Sequence, residues 1–310
     1  MIQIYKTIQD RLQSLEEMEE GVWINLVNPT EIEVEAVSDR LKLDPSYIKA
    51  ALDEEERARI EIDNGCILIL VDVPIVEKTE NSQLFSTIPL GIILYSDNII
   101  TVCTKELSIL RDFIIGHVKS FFTFKKTRFI LQILYKNATC YLQYLKQIDR
   151  MSNRIERELH KSMKNKELIQ LLELEKSLVY FSTSLRSNEI VMEKMLRLEA
   201  IKKYPEDEDL LEDVIIENKQ AIEMANIYSN ILSGTMDAFA SVISNNLNIV
   251  MKILTSITIV MAIPTMVASF FGMNVMVPLA KNPYAFSIII GISALLAFIS
   301  AYFMAKKKMF

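Results

Sequence analysis

The 310-residue chain predicts an α/β domain, then a long α-helical stalk, then two transmembrane helices. Three observations carry this. First, residues 253–280 and 282–305 contain no Asp, Glu, Lys, Arg or His. Each stretch exceeds the roughly 20 residues that a helix needs to cross a hydrocarbon core. Second, between Gly116 and Gly272 the only glycine is Gly234 and the only prolines are Pro205 and Pro264, which predicts nearly continuous helix. Third, the first 105 residues hold β-type runs bounded by turn residues. Half of the chain is hydrophobic while 24% is charged, so the two characters are segregated along it.

Taken in order, VWINLV (22–27) reads as a strand. Thr30 caps a helix through EIEVEAVSDRLKL, where Ile32, Val34, Val37 and Leu41 give rough helical spacing. RIEID and CILILVDV flank Asn64-Gly65, and Asn-Gly between such runs signals a hairpin. STIPLGIILYSDNIITVCTK reads as a second hairpin turning at Asp97-Asn98. Residues 1–105 are thus expected to form a cytoplasmic α/β domain with an antiparallel sheet. Residues 106–204 predict antiparallel helices with a turn at Met163-Lys164-Asn165. Pro205 breaks the chain and opens a helix with an acidic first turn. Nothing interrupts that helix before Gly272 except a kink expected at Pro264. It would be roughly 65 residues and about 100 Å long, too long for one bilayer. Residues 205–252 therefore read as a stalk and 253–271 as the first span. An external loop at 272–283, a second span at 284–305 and a basic tail at 306–310 follow.

Lys252 precedes the first span, Lys306, Lys307 and Lys308 follow the second, and Lys281 is the one cation of the loop. The excess of positive charge places both termini in the cytoplasm of a multi-pass protein of the inner or plasma membrane. MIQIYKTIQDRL has no basic leader before an apolar core, which predicts no signal peptide. Cys66, Cys103 and Cys140 form no CxxC pair, and His117 and His160 are far apart, so no soft-metal site is expected. The net charge of −6, with acid concentrated in DEEE (53–56) and EDEDLLED (206–213), argues against a nucleic-acid partner. Walker loops, dinucleotide turns, HExxH and nucleophile elbows do not occur, so an enzyme is not expected, nor an organic cofactor.

One face of the long helix is unusual. Steps of three and four connect Asp237, Ser241, Ser244, Asn248, Met251, Thr255, Thr258, Ala262, Thr265, Ser269 and Gly272. A seam with this period is normally apolar, yet here it is small or polar. Small residues, Ser and Thr also let membrane helices pack closely, but a stripe of this length ending in an amide reads as the wall of a water-lined pore. Two spans cannot enclose a pore, so the chain is expected to be a closed homo-oligomer with its first spans around the axis. Asp237 and Ser244 would line its inner vestibule. Met251 with Leu254 or Thr255 would form the inner constriction, where a hydrophobic ring gates by dewetting.

Gly272-Met273-Asn274, at the outer end of the penultimate span, resembles the signature of the CorA magnesium channels, and the likeness in architecture covers the whole chain. The resemblance implies a funnel-shaped homopentamer that admits hydrated Mg²⁺ past a ring built from this motif. Phe271 stands where the family usually has Tyr, and VMVPLAKNPY lacks the acids that many members carry in this loop. Mg²⁺ gives up water reluctantly, and neutral Asn274 oxygens would accept hydrogen bonds from its waters. Gly272 would end the helix with its carbonyl toward the axis, and Met273 would pack the loop. Family likeness further implies regulatory Mg²⁺ held between acids of neighbouring subunits. Asp213 resembles one such stalk acid, with Asp72 or the 53–56 run as its partner. Two other readings compete. One is a Co²⁺, Ni²⁺ or Zn²⁺ carrier on the same fold; the other is a non-conducting membrane-anchored sensor or scaffold.

Overall fold

The computed structural model describes the chain except residues 64, 80–81, 163–164, 199–203, 276–277, 279–281 and 308–310. It divides into two compact units, Met1–Thr235 and Met236–Phe310.

The first unit contains seven strands: β1 (Ile2–Ile8), β2 (Arg11–Leu15), β3 (Trp23–Val27), β4 (Arg59–Asp63), β5 (Cys66–Thr79), β6 (Ser82–Tyr95) and β7 (Asn98–Cys103). They form one sheet in the order β2-β1-β3-β7-β6-β5-β4. The sheet is not wholly antiparallel, as the sequence suggested: β3 and β7 pair in parallel, Trp23 beside Ile99 through Val27 beside Cys103. The chain makes two helices and three strands between them, enough for the crossover that parallel pairing requires. Those helices are α1 (Glu31–Leu41) and α2 (Pro45–Ala50). Thr30 caps α1 in a reciprocal capping box with Glu33. Val34 and Val37 are buried as expected, whereas Ile32 is exposed.

Alternation along the strands sends side chains to two cores. Ile24, Leu26, Leu68, Leu70, Ile93, Ile100 and Val102 meet α1 and α2. Trp23, Ile69, Val71, Leu90, Ile92 and Ile99 meet the helices that follow. These are α3 (Ser108–Ile114), α4 (Lys126–Ser162), α5 (Asn165–Met195) and the start of α6 (Pro205–Phe271). Phe113, Phe129, Val191 and Leu211 contribute from α3 through α6 in turn. Residues 1–105 and 106–204, read separately in the sequence, therefore share a core. Nor is the middle continuous helix: residues 115–125 separate α3 from α4, with Gly116 and Ser120 at φ 77° and 56°. Of the turn expected at 163–165, residues 163–164 lie outside the described residues.

Trp23 is the hub of the second core. Its ring meets those of Tyr5, Phe113, Phe121 and Phe129, with centroids 5.0 to 6.4 Å away. The Trp23 indole donates to Thr101 Oγ1 at 2.8 Å, and Thr101 donates to Asn25 Oδ1 at 2.8 Å.

The second unit holds the C-terminal part of α6 and α7 (Ala285–Lys306). α6 and α7 are both long and apolar enough to cross a membrane. α6 continues through Pro264 to Phe271.

Candidate functional site

The α6 residues after Met236 present two different faces. Ser256 is buried, and Val260, Ile263, Pro264, Val267 and Phe271 are half-buried. A cleft of about 560 Å³ identifies the neighbour: Pro264, Ala268 and Phe271 of α6, with Gly272 just after it, line it with Phe286, Ile289, Ile290, Ser293 and Ala294 of α7. Positions two apart on a helix differ by about 200°. Thr258, two beyond Ser256, and Ala262, Thr265 and Ser269 with it, thus face away from α7.

They line an open groove of about 530 Å³, flanked by Met261, Met266 and Phe270. The Thr258 hydroxyl donates to the Leu254 carbonyl at 2.8 Å and that of Thr265 to the Met261 carbonyl at 3.1 Å. With their protons spent on the helix, both oxygens offer only lone pairs to the groove. That suits the hydrogens of water around a cation. The flanking methionines and Phe270 were not expected, since apolar residues in a span read as lipid-facing.

The remaining stripe residues, Asp237, Ser241, Ser244, Asn248, Met251 and Thr255, are exposed. Leu254 is exposed too, and it and Thr255 stand about 40° and 60° from Thr258 around the helix. Both thus lie on the groove side.

Just beyond α6, Met273 and Asn274 are exposed, and residues 276–277 and 279–281 of the loop that Met273 was expected to pack lie outside the described residues. Gly272 is not in the left-handed region; its N–H still donates to the Ala268 carbonyl at 2.9 Å. A Cβ there would lie 3.3 Å from that same oxygen. Lys281, and Lys308 of the basic tail, lie outside the described residues.

The acids divide by environment. Within 206–213, Asp207 is buried against Arg128 at 3.4 Å, whereas Asp209, Glu212 and Asp213 are exposed. Asp53, Glu54 and Glu55 are exposed as well. Asp72 is different. β4 pairs with β5 only as far as Leu70, leaving the next part of that edge without a strand. Asn188 of α5 substitutes for one: the Asp72 N–H donates to its Oδ1, and its Nδ2 donates to the Asp72 carbonyl, both at 2.8 Å. Asn137 and Tyr141 of α4 donate to the same carbonyl at 2.9 and 3.1 Å. Burial pushes the Asp72 carboxyl up to about 6, while the Ser184 hydroxyl pulls the other way. The Asp72 carboxyl is half-buried and takes a hydrogen bond from Ser184 of its own chain. Its environment was illegible because it is made by residues more than 60 positions away. Among the described residues no three His, Cys, Asp or Glu side chains cluster as a metal site.

Two apolar helices of spanning length, the first with a polar groove along its free face, mark a membrane-transport protein. The family model described as CorA-like Mg²⁺ transporter protein matches residues 18–307, and the chain belongs to that family. The cobalt/magnesium transport protein CorA of Methanocaldococcus jannaschii is 26% identical over 291 residues, covering 91% of this chain and 89% of the relative. Its Thermotoga maritima namesake is 21% identical over 302 residues, 92% and 82% of the two chains. The complete structure of the CorA magnesium transporter from M. jannaschii superposes with a TM-score of 0.85 at 24% identity, covering 98% and 97%.

Proposed function

We propose that this chain forms a homopentameric pore for passive Mg²⁺ uptake, driven by the membrane potential, with both termini cytoplasmic. The observation that carries the reading is the groove on α6, whose hydroxyl acceptors face away from α7. Copies arranged around an axis would turn these grooves inward and leave the second helices outside. Hydrated Mg²⁺ would meet a ring of Gly272, Met273 and Asn274, whose amide oxygens accept from its waters without stripping them. Two charges crossing 100 mV release about 4.6 kcal/mol, so no nucleotide is required. Met251 with Leu254 or Thr255 would close the inner end by dewetting. Cytoplasmic Mg²⁺ would bridge Asp213 to the 53–56 run of a neighbouring subunit, of which Asp53, Glu54 and Glu55 are exposed, and hold the pore shut. Loss of that ion would leave carboxylates repelling one another.

Liposomes containing the purified protein and an internal Mg²⁺ dye test this. Uptake under a negative internal potential, reduced at least tenfold by Asn274→Ala, is the expected result. Equal uptake by the two proteins would refute the Asn274 ring. A second reading has specific support in the cobalt/magnesium names of the curated relatives. Co²⁺ would then share the pathway and compete with Mg²⁺ in the same assay.

A further inference from the structure

We infer that the cytoplasmic end of the α6–α7 pair holds the headgroup phosphate of an anionic phospholipid, through Lys252, Lys306 and Lys307. The site rests on the reading of α6 and α7 as membrane spans with the topology proposed above, and on no particular ion being carried.

After Asp237 the chain has no Asp, Glu or Arg side chain and five lysines. Lys281 and Lys308 lie outside the described residues; Lys252, Lys306 and Lys307 are all exposed. The register of the two helices brings these three to one level. The cleft between the helices has Ala268 on one side and Ile290 on the other. Lys252 stands 16 residues before Ala268, and Lys306 stands 16 residues after Ile290. At 1.5 Å per residue, both are about 24 Å from the cleft, toward the same end. Met304 is buried, so α7 stays packed on α6 into its last turn. Along α6 the nearest acid is Asp237, about 22 Å from Lys252.

Two of the lysines flank the seam between the helices. Lys252 is about 40° around α6 from the buried Ser256, and Lys307 about 60° around α7 from Met304. Lys306 is on the opposite face of α7. There it continues a ridge of exposed apolar side chains, Leu295, Ile299 and Tyr302, at steps of four, three and four residues. From Leu295 to Lys306 the ridge rises about 16 Å, close to half of the roughly 30 Å hydrocarbon core. An acyl chain laid along it has its phosphate at the level of the lysines. Tyr302 stands one turn before Lys306, where an aromatic ring with a polar tip suits the membrane–water boundary.

A lysine cluster directly beyond a span favours an anionic headgroup over a zwitterionic one, whose own cation it repels. The test titrates fluorescent phosphatidylglycerol or phosphatidylcholine onto the purified full chain in uncharged detergent. Phosphatidylglycerol should bind more tightly. Lys252→Gln, Lys306→Gln and Lys307→Gln should each weaken it by about fivefold while leaving phosphatidylcholine binding unchanged. Equal binding of the two lipids, or phosphatidylglycerol binding unaltered by the three substitutions, would overturn the proposal. Free glycerol phosphate should not displace the lipid; displacement as effective as that by unlabelled phosphatidylglycerol would assign the site to a soluble phosphate and overturn it too. If the variants do not fold, the natural protein decides: raising salt from about 0.05 M to about 0.5 M should weaken phosphatidylglycerol binding several-fold, and binding indifferent to salt refutes the site. A chain soluble without detergent would remove the spans and this site together, whereas a chain that requires detergent and shows no preference among lipids removes the site alone.

Discussion

Replacing Thr101 with Val changes shape very little and should nonetheless cost more than replacing it with Ser. Thr101 is fully buried, accepts from the Trp23 indole and donates to Asn25 Oδ1, each at 2.8 Å. Valine keeps the volume and removes the hydroxyl. Trp23 is fully buried and Asn25 nearly so, and water would replace neither bond. Each orphaned group costs about 1–3 kcal/mol, against about 1 kcal/mol regained by the buried methyl. The net loss is about 1–5 kcal/mol. Serine keeps both bonds and loses one methyl, for about 1 kcal/mol. Trp23 is the one tryptophan of the chain, so denaturant unfolding followed by its fluorescence reads the site directly. A valine variant as stable as the natural protein, or more stable than the serine variant, would refute this reasoning.

Two further outcomes follow from the same structure. In Gly91→Ala the new Cβ would lie 2.5 Å from Ala51 Cβ, so α2 must shift on the sheet; a loss of about 1–3 kcal/mol is expected, and Ala51→Gly added to it should restore part of the thermal stability. Asp213→Ala should leave Mg²⁺ uptake intact while blunting its inhibition by internal Mg²⁺, measured as flux against internal concentration; inhibition equal to that of the natural chain would remove Asp213 from the regulatory site.

What the sequence makes legible depends on how local the cause is. The hairpin of β4 and β5 follows from the runs around Asn64-Gly65, although residue 64 lies outside the described residues. The two apolar helices and the free polar stripe follow from charge and period alone. The hairpin of β1 and β2 carries no such signal, because its turn, Gln9-Asp10, reaches φ 49° and 60° without glycine. The second expected hairpin turns one residue earlier than read, with Tyr95 opposite Asn98 and Ser96 at φ 52°. Parallel pairing of β3 with β7 joins residues 76 apart, beyond the reach of any short pattern. For Asp72, sequence could name a carboxylate but not its environment, which α4 and α5 supply.

The amide of Asn188 that completes the edge of β5 also implies an order of events during synthesis. It lies 116 residues after the peptide it covers. At roughly 5–20 residues per second, about 6–23 s pass between the two leaving the ribosome. For that interval the newborn hairpin displays an open N–H to any neighbouring chain, whereas its C=O waits only for Asn137 and Tyr141, 65 and 69 residues on. Pro89, directly across from Asp72, removes one donor from the hairpin's other side and so shortens what a foreign strand can grip there. Helix α5 is thus both part of the finished protein and the late-arriving cover for a segment that must wait for it.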